Sequence, residues 1–181
     1  MDAVRLEAPD PAWTARFASE RQRLEGILGA LVAAIEHIGS TAVPGLVAKP
    51  TIDVLAGVRD AAALDASVAP LRAAGYEYVP EWEVELPDRR YLRSGAAPMY
   101  DAHLHVVVLG SPFWERQVRF RDLLRAEPDV ARAYAAVKAR SAADSDGVRE
   151  RYTEAKGPFI RAILRAPDAA ARAAIARAEL G

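Results

Sequence analysis

The chain contains no cysteine. Disulfides, Cys-ligated zinc and thiol chemistry are therefore excluded. No apolar run approaches the roughly 18 residues that a membrane-spanning helix needs. The opening residues, MDAVRLEAPDPAW, show no basic segment leading into an apolar one, so no secretory signal is read there. Formal net charge is only −1, which gives no strong nucleic-acid signal and no membrane-surface signal. No Walker-type phosphate loop, internal repeat or low-complexity linker is present. These absences lead to the expectation of a soluble, cytoplasmic protein.

What is present fits one domain over residues 1–181. A chain of this length buries roughly 70% of its unfolded surface. Charge is uneven: the first 109 residues are net acidic and the remainder net basic. A basic helical part facing an acidic sheet part would draw an anionic ligand between them; the alternative is arginine decorating solvated helix faces.

The pattern along the chain predicts a mixed sheet followed by helices, an α+β fold. Asp10-Pro11 opens a helix with Trp13, Phe17, Leu24, Ile27 and Leu28 on one face. Strands are predicted at 33–38 and 51–58. A helix runs from Asp60 through Leu64, Val68 and Leu71 to a Gly75 cap. A strand pair follows at 76–82 and 89–94, joined by the acidic loop 83–88, and then a strong strand at 102–109. After Gly110 the periodicity becomes helical. Predicted helices end near Glu127, start again at Pro128, yield to a polar loop at 141–147, and resume at Val148, with a bend or split at Gly157-Pro158. Asp168 caps a last Ala-rich helix.

The segment HIGSTAVPGLVAKPTIDVLAG, residues 37–57, carries most of the functional signal. Glycine after a strand lets backbone pass close to a ligand. A helix beginning at Gly39-Ser40-Thr41 would favour phosphate; otherwise Ser40 simply caps a turn. Asp53 is a lone carboxylate in an apolar strand, costly unless it holds a metal, a proton or a donor. The plain alternative pairs it with Lys49 or an arginine. Lys49 itself is an anion candidate. His103 and His105 are two apart and share a strand face, a possible metal half-site or proton relay; each alone is also readable as a satisfied, partly buried histidine. His37 precedes the Gly-Ser turn. Arg89, Arg90, Arg119, Arg121, Lys138 and Lys156 are candidate phosphate or carboxylate ligands. Tyr134 and Tyr152 fit helical spacing and read as core.

HIGSTAVPGLVAKPTIDVLAGV resembles the central motif of the GrpB family. The resemblance continues through LRAAGYEYVP, HLHVVV, FRDLLRAEPDVARAYAAVKARSA and RYTEAKGPFI, covering roughly residues 4–165. It implies a nucleotidyltransferase-like mixed sheet with flanking helices over residues 1–110 and a C-terminal helical part over 111–181. The family is also found fused to a dephospho-coenzyme A kinase. The resemblance places the superfamily's Gly-Ser element on Gly39 and Ser40 and its first metal-binding acid on Asp53. The second acid falls on Leu55, which cannot ligate a metal. The third position falls on His103 or His105, and histidine suits transition metals better than magnesium. Glu36 is a possible substitute acid.

The implied function is transfer of a nucleotidyl group from a nucleoside triphosphate to a small acceptor. Gly39, Ser40, Thr41, Lys49, Arg90 and Lys156 would bind phosphate. Asp53, His103 and His105 would hold a divalent ion, magnesium or manganese, with Asp53 and His105 as the catalytic groups. The alternative is a module that binds a nucleotide, a coenzyme A-type ligand or another phosphorylated small molecule without chemistry, or that assists a partner enzyme.

Overall fold

The computed structural model describes residues 5–97, 99–144 and 149–181, with 149 and 150 as backbone only. Five strands form one mixed sheet: β1 (Val32–Ile38), β2 (Ile52–Val58), β3 (Glu77–Tyr78), β4 (Arg89–Ala96) and β5 (Met99–Val108). Their spatial order is β1-β2-β5-β4-β3. β2 and β5 run parallel, and every other pair is antiparallel.

Alternation along the strands gives the sheet two different faces. Ile52, Val54, Ala56, Val58, Leu92, Leu104 and Val106 share a face that packs on helix α1 (Ala12–Leu28), α2 (Ala61–Ala66) and α3 (Val68–Ala73). Trp13, Leu24, Leu28, Leu64 and Leu71 are the helical half of this core. On the other face, Ile38, Leu55 and Val107 lie under Trp114 of helix α4 (Pro112–Ala126). Trp114 comes so close that a Cβ on Gly57 would sit 2.8 Å from its ring. β2 is therefore covered on both sides, which is why its sequence is nearly all apolar.

Helices α5 (Pro128–Asp144), α6 (Arg149–Ala155), α7 (Gly157–Arg165) and α8 (Ala169–Leu180) complete the C-terminal part. Phe120, Leu124, Val130, Tyr134, Val137, Phe159 and Ile163 form its core. Val43 and Leu46, from the connection between β1 and β2, are buried in that same core. Three basic side chains bind carbonyls at the end of β1 and along that connection. Arg121 donates to His37 O at 3.1 Å, Arg125 to Ala42 O at 2.9 Å, and Lys138 to Val47 O.

The structure departs from the sequence pattern in three places. The predicted strand at 76–82 pairs only at Glu77 and Tyr78, and Pro80 begins a short 3-10 turn, Pro80–Glu83. The helix predicted from Asp60 divides at Ser67, because Pro70 cannot donate back to the Ala66 carbonyl. α5 extends to Asp144, into the predicted polar loop. The rest of that loop, with Val148, lies outside the described residues. The Gly157-Pro158 split, by contrast, falls where α6 ends and α7 begins.

Candidate functional site

The site is built on the end of the sheet that α4 leaves uncovered. β1 ends at Ile38, directly opposite Asp53 on β2. The next residue, Gly39, has φ +70°, a conformation that favours glycine. A Cβ there would lie 2.2 Å from Asp53 Oδ2, so the glycine is required twice over. Ser40–Ala42 then makes one 3-10 turn of 3 residues rather than a helix. The helix-dipole argument for phosphate at Gly39-Ser40-Thr41 therefore does not apply. Ser40 and Thr41 nevertheless line the cleft, Ser40 beside the Tyr134 hydroxyl and Thr41 with its hydroxyl 3.0 Å from His37 Nε2.

Asp53 and His103 are register partners on the parallel pair β2–β5. Asp53 Oδ1 lies 3.0 Å from His103 Nδ1. Burial alone would push the Asp53 carboxyl up. The hydrogen bond and charge of His103, supported by His105 and Lys156, outweigh it and hold the carboxyl below the ordinary carboxylate range. The partner of Asp53 is thus a histidine, not Lys49 or an arginine.

His105 is set differently. Its Nδ1 lies 3.5 Å from Arg89 Nη1, and its ring packs near Tyr91 and Phe113. Burial first, then the Arg89 charge, lowers its pKa to about 3. It is neutral at physiological pH and turned toward a guanidinium, so a cation at its Nδ1 is disfavoured.

The opposite wall comes from the C-terminal helices. Tyr152 is buried, with Lys49 Nζ 4.5 Å and Lys156 Nζ 4.0 Å from its ring centroid. Its spacing suggested core; the structure makes it the platform between two lysines on the cleft wall. The i, i+4 relation of Tyr152 and Lys156 is the sequence signal for that pairing.

Arg90 does not reach the cleft. It donates to Asp65 at 2.6 Å and pairs with Glu83 at 3.3 Å. Alternation on β4 turns its neighbour Arg89 inward instead, to the floor that also carries Tyr91 and to the edge where Trp82 stacks on Tyr91. Arg89, named in sequence only among six basic candidates, and Trp82, not named at all, are the cleft-lining residues that sequence reasoning did not single out. The full cleft holds about 300 Å³.

Arg121 is committed to Glu36 at 2.5 Å and to Asp122 at 2.8 Å, so Glu36 is a strut to α4 rather than a substitute metal ligand. Lys138 is buried against Val47 O and the Tyr134 ring. Among the described residues, no group of three or more His, Asp or Glu side chains is arranged to hold a metal ion. Leu55, to which the resemblance assigned the second-acid position, is fully buried under Trp114. A two-metal clamp needs oxygen ligands on both ions, and this donor set does not fit one. Among the described residues, no helix is long and apolar enough to cross a membrane.

Comparison with known proteins gives a consistent picture. The model of the GrpB protein family matches residues 3–166. UPF0157 protein YqkA of Bacillus subtilis is 36% identical over 149 residues, covering 82% of this chain but 43% of its own length. UPF0157 protein BH1888 of Halalkalibacterium halodurans is 36% identical, covering 92% of this chain and 84% of its own. A Mycolicibacterium paratuberculosis protein named dephospho-CoA kinase is 33% identical; the match covers 87% of this chain and 44% of that protein. The crystal structure of GrpB from Enterococcus faecalis superposes with a TM-score of 0.78 at 30% identity, covering 98% of this chain and 100% of the other. The GLD-2/RNP-8 complex aligns with a TM-score of 0.57 at 14% identity, over 87% of this chain and 52% of the other, a likeness of fold alone.

Proposed function

Because the chain belongs to the GrpB family and has a nucleotidyltransferase-like fold, we propose that its cleft binds a nucleotide or another phosphorylated small molecule. One observation carries this reading: three cations, Lys49, Lys156 and Arg89, line a cleft in which, among the described residues, Asp53 is the one carboxylate and is bonded to His103. Such a lining favours an anion over a cation or a neutral ligand. Ser40 and Thr41 line the same cleft, with their hydroxyls beside Tyr134 and His37. The relative named dephospho-CoA kinase puts coenzyme A-type molecules on the list to be tested.

A second reading, nucleotidyl transfer to a small acceptor, is favoured by the position of Asp53. The family resemblance assigns it the first-acid position, and its hydrogen bond orients His103. A histidine held at Nδ1 by a carboxylate is suited to taking a proton at Nε2. The burial of Leu55 weighs against the metal-dependent form of that chemistry.

Calorimetric titration separates these readings. ATP, GTP and coenzyme A are titrated into the wild type, Asp53→Ala and the double variant Lys49→Ala/Lys156→Ala, with and without magnesium or manganese. The binding reading expects metal-independent affinity, retained in Asp53→Ala and weakened about 10- to 100-fold in the double variant. Affinity that requires the metal and disappears in Asp53→Ala would instead support transfer. No heat with any of the three ligands would remove the proposal.

A further inference from the structure

Arg89 is 8% exposed, yet among the described residues no carboxylate pairs with it, and its Nε has no hydrogen-bond partner. Nη2 donates to the Trp82 carbonyl at 2.6 Å, and Nη1 lies 3.5 Å from His105 Nδ1. It also lies near the rings of Tyr91 and Phe113, at 5.4 and 5.6 Å, and the like charge of Arg116 acts on it. The charge of Glu83 reaches it. That carboxylate, however, is occupied by Arg90, the Tyr78 hydroxyl and the Tyr91 N–H. A guanidinium taken out of water and given only neutral partners is destabilising to the fold by itself. An anion brought by a ligand would supply the missing counter-charge.

The position of Arg89 adds a second constraint. Beyond Trp82 lies a second hollow of about 420 Å³, and Trp82, Arg89 and Thr153 line both it and the cleft. The two hollows have opposite polarity. The cleft carries Lys49 and Lys156; the second hollow carries Glu81, Glu85 and Glu154. At the border Trp82, its ring stacked on Tyr91 with centroids 4.8 Å apart, remains 40% exposed. A large aromatic surface left exposed beside a buried cation suits a flat ring next to an anionic group.

We propose that Arg89 is the anion-recognition residue at the junction of the two hollows, and that the ligand is a phosphorylated molecule bearing a flat, amine-substituted ring. The phosphate lies against Arg89 on the lysine side. The ring lies along Trp82, and its amine faces Glu81, Glu85 and Glu154. The reverse orientation sets phosphate against three carboxylates and is excluded by charge. The assignment rests on the phosphate-ligand reading above and specifies its ligand class and its anchor.

The test uses two probes, inorganic tripolyphosphate and ATP, titrated calorimetrically into the wild type, Arg89→Met and Trp82→Ala, with thermal melts of each ligand-free protein. Arg89→Met should weaken both probes about 10- to 100-fold. Its ligand-free melting temperature should equal or exceed that of the wild type, because an uncompensated charge has gone. Trp82→Ala should weaken ATP while leaving tripolyphosphate unchanged.

Unchanged tripolyphosphate affinity in Arg89→Met, whatever its melting temperature, would overturn the assignment and leave Arg89 as a strut for the Trp82 carbonyl. Equal loss of both probes in Trp82→Ala, or loss of neither, would overturn the ring position. Should Arg89→Met fail to fold, Arg89→Lys decides: it keeps the charge and loses the planar fork, so weakened tripolyphosphate binding supports the proposal and unchanged binding refutes it. If Lys49→Ala/Lys156→Ala weakens binding while the Arg89 variants do not, this inference fails and the phosphate reading stands. If the wild type binds neither probe, both fail.

Discussion

Gly39→Ala tests the tightest contact of the site with a single methyl. The residue sits at φ +70°, where an L side chain is strained, and its new Cβ would overlap Asp53 Oδ2. Strain and overpacking together should destabilise the protein by about 2–4 kcal/mol, measured by chemical denaturation. The carboxylate is the softer partner and should move, breaking its 3.0 Å contact with His103. A variant as stable as the wild type would mean that the turn relaxes and does not set the Asp53 position. Gly39 and Asp53 were legible in sequence because a glycine at a strand end and a carboxylate in an apolar run each violate a local rule. Arg89 was not, because nothing in Arg89-Arg90 says which one turns inward. That depends on strand register, a property of pairing rather than of the dipeptide.

At the level of elements, α4 closes one end of the sheet and leaves the other open. Trp114 lies over Leu55, Ile38 and Val107, and this contact decides how many groups the site can have. Leu55→Asp would restore an acid two residues after Asp53, yet place it in a dry contact with an indole. The expected outcome is a loss of about 3–5 kcal/mol with no gain in magnesium or manganese affinity by calorimetry. Tight metal binding by a folded Leu55→Asp protein would show that α4 can lift, and would revive the two-ion reading. The elements themselves were largely readable: β1, β2 and β5, α4, and the break at Gly157-Pro158 follow apolar periodicity and proline. Two of the misread elements share one cause, the proline backbone. Pro80 ends a strand that side-chain pattern alone would continue, and Pro70 divides a helix whose apolar spacing is unbroken.

At the scale of the whole molecule, the charge asymmetry has found a use that composition could not reveal. Part of the basic excess of the C-terminal helices is neither solvated decoration nor directed at a ligand. Arg121, Arg125 and Lys138 bind carbonyls of His37, Ala42 and Val47, and Val43 and Leu46 enter the helical core. The connection between β1 and β2, which shapes the site, is therefore held by the helical part as much as by the sheet. This binding requires buried basic groups, and it gives stability a distinctive dependence on pH. His37, stacked on Phe17, is lowered to about 4 by burial, with Arg125 and Arg121 adding to the effect and Asp53 opposing it. His105 is lowered to about 3. Between those values and about 6.5 the unfolded chain takes up protons on these histidines that the native state refuses, so stability falls as pH falls. The depressed Asp53 carboxyl acts in the same direction at lower pH. Lys138 is lowered to about 7 by burial, with Lys156 adding to the shift. From about 7 to 10 the unfolded chain holds a proton that the native lysine has released, so stability continues to rise with pH. Melting temperature should therefore climb from pH 4 to pH 7 and keep climbing toward pH 9. It should fall only where the buried tyrosines Tyr134 and Tyr152, raised chiefly by burial, begin to ionise in the unfolded chain, at about 10. Lys138→Met should flatten the alkaline limb and leave the acid limb in place, whereas His37→Gln should reduce the acid limb alone. A wild-type maximum at pH 5–6, or an alkaline limb that survives in Lys138→Met, would show that these buried groups do not govern how the helices and the sheet are held together.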